Sequence, residues 1–354
     1  MNRVAQIQAE LQPGEALLVT GAANRYYLTS FRSSAGSVWI THDKAVFLID
    51  FRYYEKAKRT VTSCEVMLTK KTADEITKLC HDFQIKTQYL ETGQITLQAY
   101  TQWEQKLTGI TVSTDDKMDR LLEQMRSVKS SEELALIQQA QKLTDQTFSY
   151  ILERIEPGRT ERDIMLDMEF FMRKLGSEGV AFDFIVVSGK NTSLPHGIPT
   201  DKKVERGDFI TMDFGAVIGE YRSDMTRTVA VGHVSEEQKQ VYHTVLQAQF
   251  AALDAIKPGV ACSVVDKIAR DYIHRAGYEG CFGHGLGHSV GIEIHENPTF
   301  SPGSKSILTP GNIMTVEPGI YLENRFGVRI EDMVYVTEES CRNLTHSPKD
   351  LILL

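Results

Sequence analysis

The sequence has no Cys-x-x-Cys pair. Its five cysteines (Cys64, Cys80, Cys262, Cys281 and Cys341) are odd in number and scattered, which speaks against a disulfide framework and a structural zinc ribbon. There is no block of lysine and arginine, and the net charge is −8. Neither nucleic acid nor an anionic membrane is therefore expected as a main partner. No apolar run approaches the roughly 20 residues that cross a bilayer. The opening MNRVAQIQAEL is polar, lacks the apolar core of a signal peptide, and has the spacing of an amphipathic helix. Together these absences give the expectation of a cytoplasmic protein in a reducing setting. Histidine is scarce too. There are ten in 354 residues, yet three fall within positions 284–295.

What is present fits a soluble α/β chain long enough for two domains. EALLVTG (15–21) reads as a strand and GSVWITHDKAVFLID (36–50) as a hairpin turning near His42-Asp43. CEVMLTK (64–70) is strand-like, and TADEITKLCHDF (72–83) has helical spacing. TQYLET and ITVST are short strands around another helix. These segments make an α/β domain of about 120 residues. A helical stretch follows from near Lys117, and Ser131 with Glu133 marks a fresh helix start. The boundary is placed near 125–130, with a first domain over 1–125 and a second over 126–354.

The second domain repeats itself. IEPGRTERDI (155–164) is echoed by IKPGVACSVV (256–265), and KLGSEG (174–179) by RAGYEG (275–280), both at an offset of 101. PHGIPT (195–200) is echoed by IHENPT (294–299), setting His196 against His295. RGDFITMDFG (206–215) is echoed by PGNIMTVEPG (310–319), setting Asp213 against Glu317. Four echoes in one order indicate an internal duplication and a domain of two related halves.

Each half carries a pair of acids. ITMDFGAVIGEYRSDMTRTVAV (210–231) reads as a hairpin. A turn centred on Ile218-Gly219 would set Asp213 directly opposite Asp224, with Cβ atoms roughly 5 Å apart. Like charges so placed destabilise a sheet unless they share a proton or hold a cation. IMTVEPGIYLENRFGVRIEDMVYV (313–336) puts Glu317 and Glu331 on two strands around a loop near Glu323–Arg325. A pseudo-twofold would bring both pairs to one centre, where two divalent cations would balance four carboxylates.

FGHGLGHSVGIEIHENP (282–298) supplies the histidines. His284 and His288 are four apart, as in helical zinc motifs, but Gly283, Gly285 and Gly287 make a helix improbable. The glycines indicate backbone packed close to other backbone or to a ligand. VGIEIHE (290–296) alternates like a strand, with Glu293 and His295 on one face. One histidine would complete an oxygen-rich set of two Asp, two Glu and one His, suited to two Mn²⁺, Co²⁺ or Zn²⁺ ions with room for a bridging water.

At this point the residues resemble a known family: the aminopeptidase P/prolidase group, Xaa-Pro peptidases with the pita-bread fold. The matching stretches are FDFIVVSGKNTSLPHGIPTD, GDFITMDFGAVIGEYRSDMTRT, GHGLGHSVGIEIHENP, TVEPGIY and GVRIED. The resemblance implies a creatinase/prolidase-like α/β domain followed by a pseudo-twofold metallopeptidase domain. It implies two divalent ions, Mn²⁺ first, held by Asp213, Asp224, His288, Glu317 and Glu331. It makes His196, His284 and His295 active-site histidines, gives Glu317 a part in proton transfer, and has Tyr321 and Arg329 brace substrate and site. None of the five ligands is substituted, unlike in creatinase and the fold's non-catalytic relatives.

The implied activity is hydrolysis of the bond between an N-terminal residue and proline in short peptides. A homodimer is implied, with the first domain taking part in closing the substrate site. Two rivals remain. Methionine aminopeptidase shares the ligand types, but its histidine motif lacks the counterpart of His284. A non-catalytic peptide-binding relative would keep the fold without the activity. Cys281 is expected to pack rather than react, and His233, His243 and His274 are expected to be ordinary residues.

Overall fold

The computed structural model describes residues 2–354, which divide into two compact units, one up to residue 126 and one from residue 127. In the first unit the opening amphipathic segment is α1 (Arg3–Glu10), capped by the Asn2 side chain on the Val4 amide. There follow β1 (Glu15–Val19), α2 (Ala22–Thr29), β2 (Ser37–Thr41), β3 (Ala45–Ile49), α3 (Phe51–Thr60), β4 (Glu65–Leu68), α4 (Thr72–Asp82), β5 (Thr87–Leu90), α5 (Leu97–Lys106), β6 (Thr111–Ser113) and α6 (Lys117–Ser127). The strands form one mixed sheet in the order β4-β3-β2-β1-β5-β6. Its central strands read as continuous apolar runs, the pattern of strands covered on both faces. Trp39 is fully buried there, and its indole N–H is satisfied by Gln88 Oε1 at 3.0 Å.

The second unit opens with α7 (Ser131–Leu152). It starts at Ser131, as expected. Ser130 is the cap, and Ser130 and Glu133 form a reciprocal capping box. The rest of the first half is α8 (Glu161–Lys174), β7 (Ile185–Ser188), β8 (Phe209–Phe214), β9 (Val217–Ile218), β10 (Tyr221–Arg222) and β11 (Met225–Ala230). The second half has α9 (Glu236–Ala255), α10 (Cys262–Arg275), β12 (Gly287–Ser289), β13 (Glu296–Phe300), β14 (Ile313–Val316), β15 (Gly319–Leu322), β16 (Phe326–Arg329), β17 (Asp332–Val336) and β18 (Cys341–Asn343). The sheets of this unit run β11-β8-β7 in the first half and β13-β12-β14-β17-β18 in the second, with β9/β10 and β15/β16 as separate ribbons.

The repeat read from the sequence is structural. Helices α8 and α10 are both 14 residues long and begin 101 positions apart. The Gly158 amide donates to the Val204 carbonyl as the Gly259 amide does to Leu308, both at 2.9 Å. Each half has its own apolar core. Ile164, Met168, Met212 and Phe214 belong to the first, and Val265, Ala269, Met314 and Val316 to the second. Helix α8 packs against β7 and α10 against β13.

Candidate active site

The first acid pair is set by a hairpin whose turn is Gly219-Glu220, one residue beyond the expected centre. Both residues have positive φ, +55° and +64°, as a two-residue turn matched to strand twist requires. Glu178 steadies the turn by accepting from the Gly219 amide at 3.0 Å. Asp213 on β8 therefore faces Thr226 on β11 rather than Asp224. Moving the centre by one residue moves the partner by two, which keeps the face. Asp224 thus stays on Asp213's side, in the break between the β9/β10 ribbon and the β8/β11 ladder. The break is tight: a Cβ on Gly215 would sit 1.8 Å from the Ser223 carbonyl.

The second pair follows the expected hairpin. The register that pairs Val316 with Asp332 and Gly319 with Arg329 sets Glu317 opposite Glu331. Thr226 joins the halves. Its hydroxyl donates to Glu331 Oε2 at 2.8 Å, and its carbonyl accepts from the Glu331 amide. The four acids thus meet at one centre.

His288 lies on β12, and the other site histidines come from loops. A Cβ on Gly287 would lie 2.1 Å from the Thr315 carbonyl, so only glycine lets β12 close on β14 beside His288. His288 Nδ1 faces the Ser289 carbonyl at 3.1 Å, which leaves Nε2 at 3.6 Å from Asp224 and 3.5 Å from Glu317. Residues 290–295 do not form the expected strand. The register slips after His288, and the chain makes successive bends between β12 and β13. The Gly291 amide turns back onto the Glu293 carbonyl, and Glu296, paired with buried Lys129 at 3.2 Å, accepts from the Glu293 amide. This loop places the His295 ring 4.4 Å from that of His288.

His284 is held on both ring nitrogens. Nδ1 lies 2.8 Å from the Gly285 carbonyl, and Nε2 lies 2.9 Å from the Tyr321 hydroxyl. Tyr321 accepts from Arg329 at 2.8 Å, and Arg329 also holds Asp213 at 2.7 Å and reaches Thr226 Oγ1 and the Pro195 carbonyl. Arg329, Tyr321 and His284 form one relay, and Tyr321 is not among the cavity-lining residues. The cavity, about 830 Å³, is walled by His196, His284, His295 and the acids, with Phe182 and Ile198 contributing apolar surface. Sequence reasoning passed over two threonines. Thr226 is opposite Asp213, and Thr315 caps the His288 amide at 3.0 Å and lies 3.4 Å from Glu317. Their signal was the two-residue alternation that puts Asp224 with Thr226 and Thr315 with Glu317.

Electrostatics mark the centre. Burial, then Glu331, Asp213 and Glu317, hold the Asp224 carboxyl well above the usual range. Burial with Glu317 and Asp213 does the same to Glu331. Burial pushes Glu317 up to about 8 against the pull of Arg329. Burial lowers His284 to about 4, helped by the Arg329 charge, and lowers His288 to about 4, helped by His295. Burial and then His196 lower His295. Asp213 Oδ1 and Glu331 Oε1 are buried without a hydrogen-bond partner. Ligand atoms of Asp224, His288 and Glu331 lie within 4.8 Å of one another. Orphaned carboxylate oxygens converging with one imidazole fit divalent cations, which would take the place of protons on the acids.

An acid whose folded pKa is raised holds a proton that the unfolded chain has lost. Its contribution to stability is therefore lost as pH rises from its ordinary 4.5 to about 8 for Glu317. The lowered histidines act oppositely, but only between about 4 and their ordinary 6.5. Between pH 6.5 and 8 the acids alone remain. Metal-free protein should lose stability across that window, by up to about 1.4 kcal/mol per pH unit for each acid that stays protonated. Metal-loaded protein should not. Calorimetry on chelated and reloaded samples checks this, and a flat or rising metal-free profile would contradict it.

Comparison with known proteins now places the chain. Residues 135–338 match the model of metallopeptidase family M24, and residues 3–128 match the creatinase/prolidase N-terminal domain. An uncharacterised peptidase of Bacillus subtilis, YqhT, is 41% identical over 96% of both chains. A solved Xaa-Pro dipeptidase from Bacillus anthracis is 38% identical, with TM-score 0.94, over 99% of this chain and 98% of that one. An X-Pro aminopeptidase from Thermotoga maritima is 37% identical, with TM-score 0.90, over 98% of this chain and all of the other. The chain belongs to metallopeptidase family M24, in its Xaa-Pro peptidase group, and is a metal-dependent hydrolase of peptides. No helix among the described residues is long and apolar enough to cross a membrane.

Proposed function

We propose that the protein hydrolyses the bond between an N-terminal residue and a following proline in short peptides, as an Xaa-Pro dipeptidase or aminopeptidase. The observation that carries this reading is the convergence of Asp213, Asp224, His288, Glu317 and Glu331 at one wall of a cavity that also presents His196 and His295. These five side chains would hold two divalent ions, whose chemistry when bound is to lower the pKa of a water and to polarise a carbonyl. The protein's own residues do the rest. Arg329 fixes the orientation of Asp213. Glu317 takes the proton of the attacking water and passes it to the proline nitrogen. His295, kept neutral by burial and His196, donates an N–H to the oxygen that gains charge, and His196 approaches from the other half. Proline offers no amide N–H at the scissile bond, so the site needs no acceptor for one.

Within the same reading the chain is a cytoplasmic homodimer and takes Mn²⁺ before Co²⁺ or Zn²⁺. Sedimentation and metal analysis of protein purified without chelator test these points. The deciding experiment is hydrolysis of Ala-Pro, Ala-Pro-Ala and Met-Ala-Ser by metal-reconstituted protein, with product analysis. Cleavage of Ala-Pro marks a dipeptidase, and release of Ala from the tripeptide alone marks an aminopeptidase. Cleavage of Met-Ala-Ser without either proline peptide would move the protein to methionine aminopeptidase chemistry. Metal binding with no cleavage would make it a binding protein.

A further inference from the structure

Outside the acid centre, one buried carboxylate has five hydrogen-bond donors turned on it and no arginine or lysine as a direct partner. Glu161, the first residue of α8, is fully buried. Its Oε1 accepts from the Ser188 amide at 2.6 Å, the Ser188 hydroxyl at 2.9 Å and the Asn191 side-chain amide at 3.0 Å. Its Oε2 accepts from the Thr200 amide at 3.0 Å and the Thr200 hydroxyl at 2.6 Å. Ser188 ends β7, and Thr200 closes the loop that leaves it. Between them lie Pro195, whose carbonyl accepts from Arg329 at 3.2 Å, and His196 on the cavity wall. Glu161 therefore ties both ends of the His196 loop to a helix N-terminus, where the backbone dipole favours its charge.

The duplicated half shows that the fold does not need this carboxylate to start the helix. The position 101 residues on is Cys262, and α10 runs the same 14 residues from it. There the counterpart of the His196 loop, the His295 loop after β12, is held by other groups. Glu296 accepts from the Glu293 amide at 3.1 Å and pairs with Lys129 at 3.2 Å. What Glu161 has that Cys262 lacks is a grip on one histidine loop. We propose that Glu161 is a positioning residue for His196 in the peptidase reaction. This rests on the role given to His196 above.

The amide isostere is the sharp probe. In Glu161→Gln, whichever oxygen becomes NH₂ meets a backbone N–H, of Ser188 or of Thr200, so one end of the loop must let go. A displacement of about 1 Å at a reacting group can cost about 100-fold. Glu161→Gln should lower kcat by about 10- to 100-fold with little change in KM and with metal content unchanged. In a His196→Ala background the same substitution should cost less than about twofold, because its effect passes through a side chain already gone. Thr200→Val, which removes one donor and leaves the carboxylate, gives a milder version if the Gln variant folds poorly.

Independently of activity, the ¹³Cε1 resonance of His196 in zinc-loaded protein should shift in Glu161→Gln while that of His274 stays. Equal losses of kcat in the wild-type and His196→Ala backgrounds, or an unmoved His196 resonance, would overturn the proposal. If wild-type protein cleaves no Xaa-Pro peptide, the functional reading fails, and the resonance still decides whether Glu161 sets His196.

Discussion

Replacing Asp224 by Asn is expected to strip at least one metal ion and slow turnover by on the order of 10³-fold or more, while raising the stability of the metal-free chain. The first two effects share a cause. Asp224 is one of three residues whose ligand atoms lie within 4.8 Å of one another, and His288 Nε2 is 3.6 Å from its Oδ2. An amide brings no charge to offset a divalent cation. Lewis-acid stabilisation of a transition state is worth several kcal/mol, and each 1.36 kcal/mol is tenfold in rate. The third effect runs the other way because the acids repel one another. Burial and three neighbouring carboxylates hold Asp224 well above its ordinary pKa, so a neutral isostere relieves a cost the metal-free fold bears. Metal analysis, kcat and the melting temperature of the chelated variant measure all three. A variant with two ions and normal turnover would remove Asp224 from the ligand set. A less stable metal-free variant would mean that the acids are not in conflict.

Much of this site was legible because its parts obey short periods. Asp213 and Glu317 occupy equivalent positions in the two copies of one echo, and period-two alternation put each beside its partner acid. The turn of the first hairpin was less legible. IGE can centre on Ile218-Gly219 or on Gly219-Glu220, and the choice falls to the second because Glu178, about 40 residues away, accepts the amides of the turn. The slip spared the face of Asp224 only because moving a centre by one moves a partner by two.

Segment 290–296 misled for a different reason. Its alternation is genuine, yet a Cβ on Gly291 would lie 2.5 Å from the Glu296 carboxylate, and Glu296 is anchored by Lys129, 167 residues distant. No local pattern carries that information. Glu161 was hidden in the same way. An acid in the first turn of a helix reads as a solvated dipole partner, and only the returning strand and loop reveal its five donors.

His288, His295 and His196 should separate into two behaviours. His288 Nε2 points at Asp224 and Glu317, and its Nδ1 is fixed by the Ser289 carbonyl, the arrangement in which a second partner orients a ligating imidazole. His288→Ala should therefore lose metal affinity first and activity as a consequence. His295 stacks edge-on against His288 at 4.4 Å, on the cavity wall with His196. Neither is needed to complete the five-residue set. His295→Ala and His196→Ala should keep both ions and lower kcat by roughly 10²- to 10⁴-fold, the usual worth of a positioned acid–base or oxyanion donor. Metal content and kcat on the three purified variants decide the matter. If His295→Ala strips an ion while His288→Ala leaves both in place, the two histidines exchange roles. The loop held by Lys129 and Glu296 would then be the metal-binding element, not the substrate-facing one.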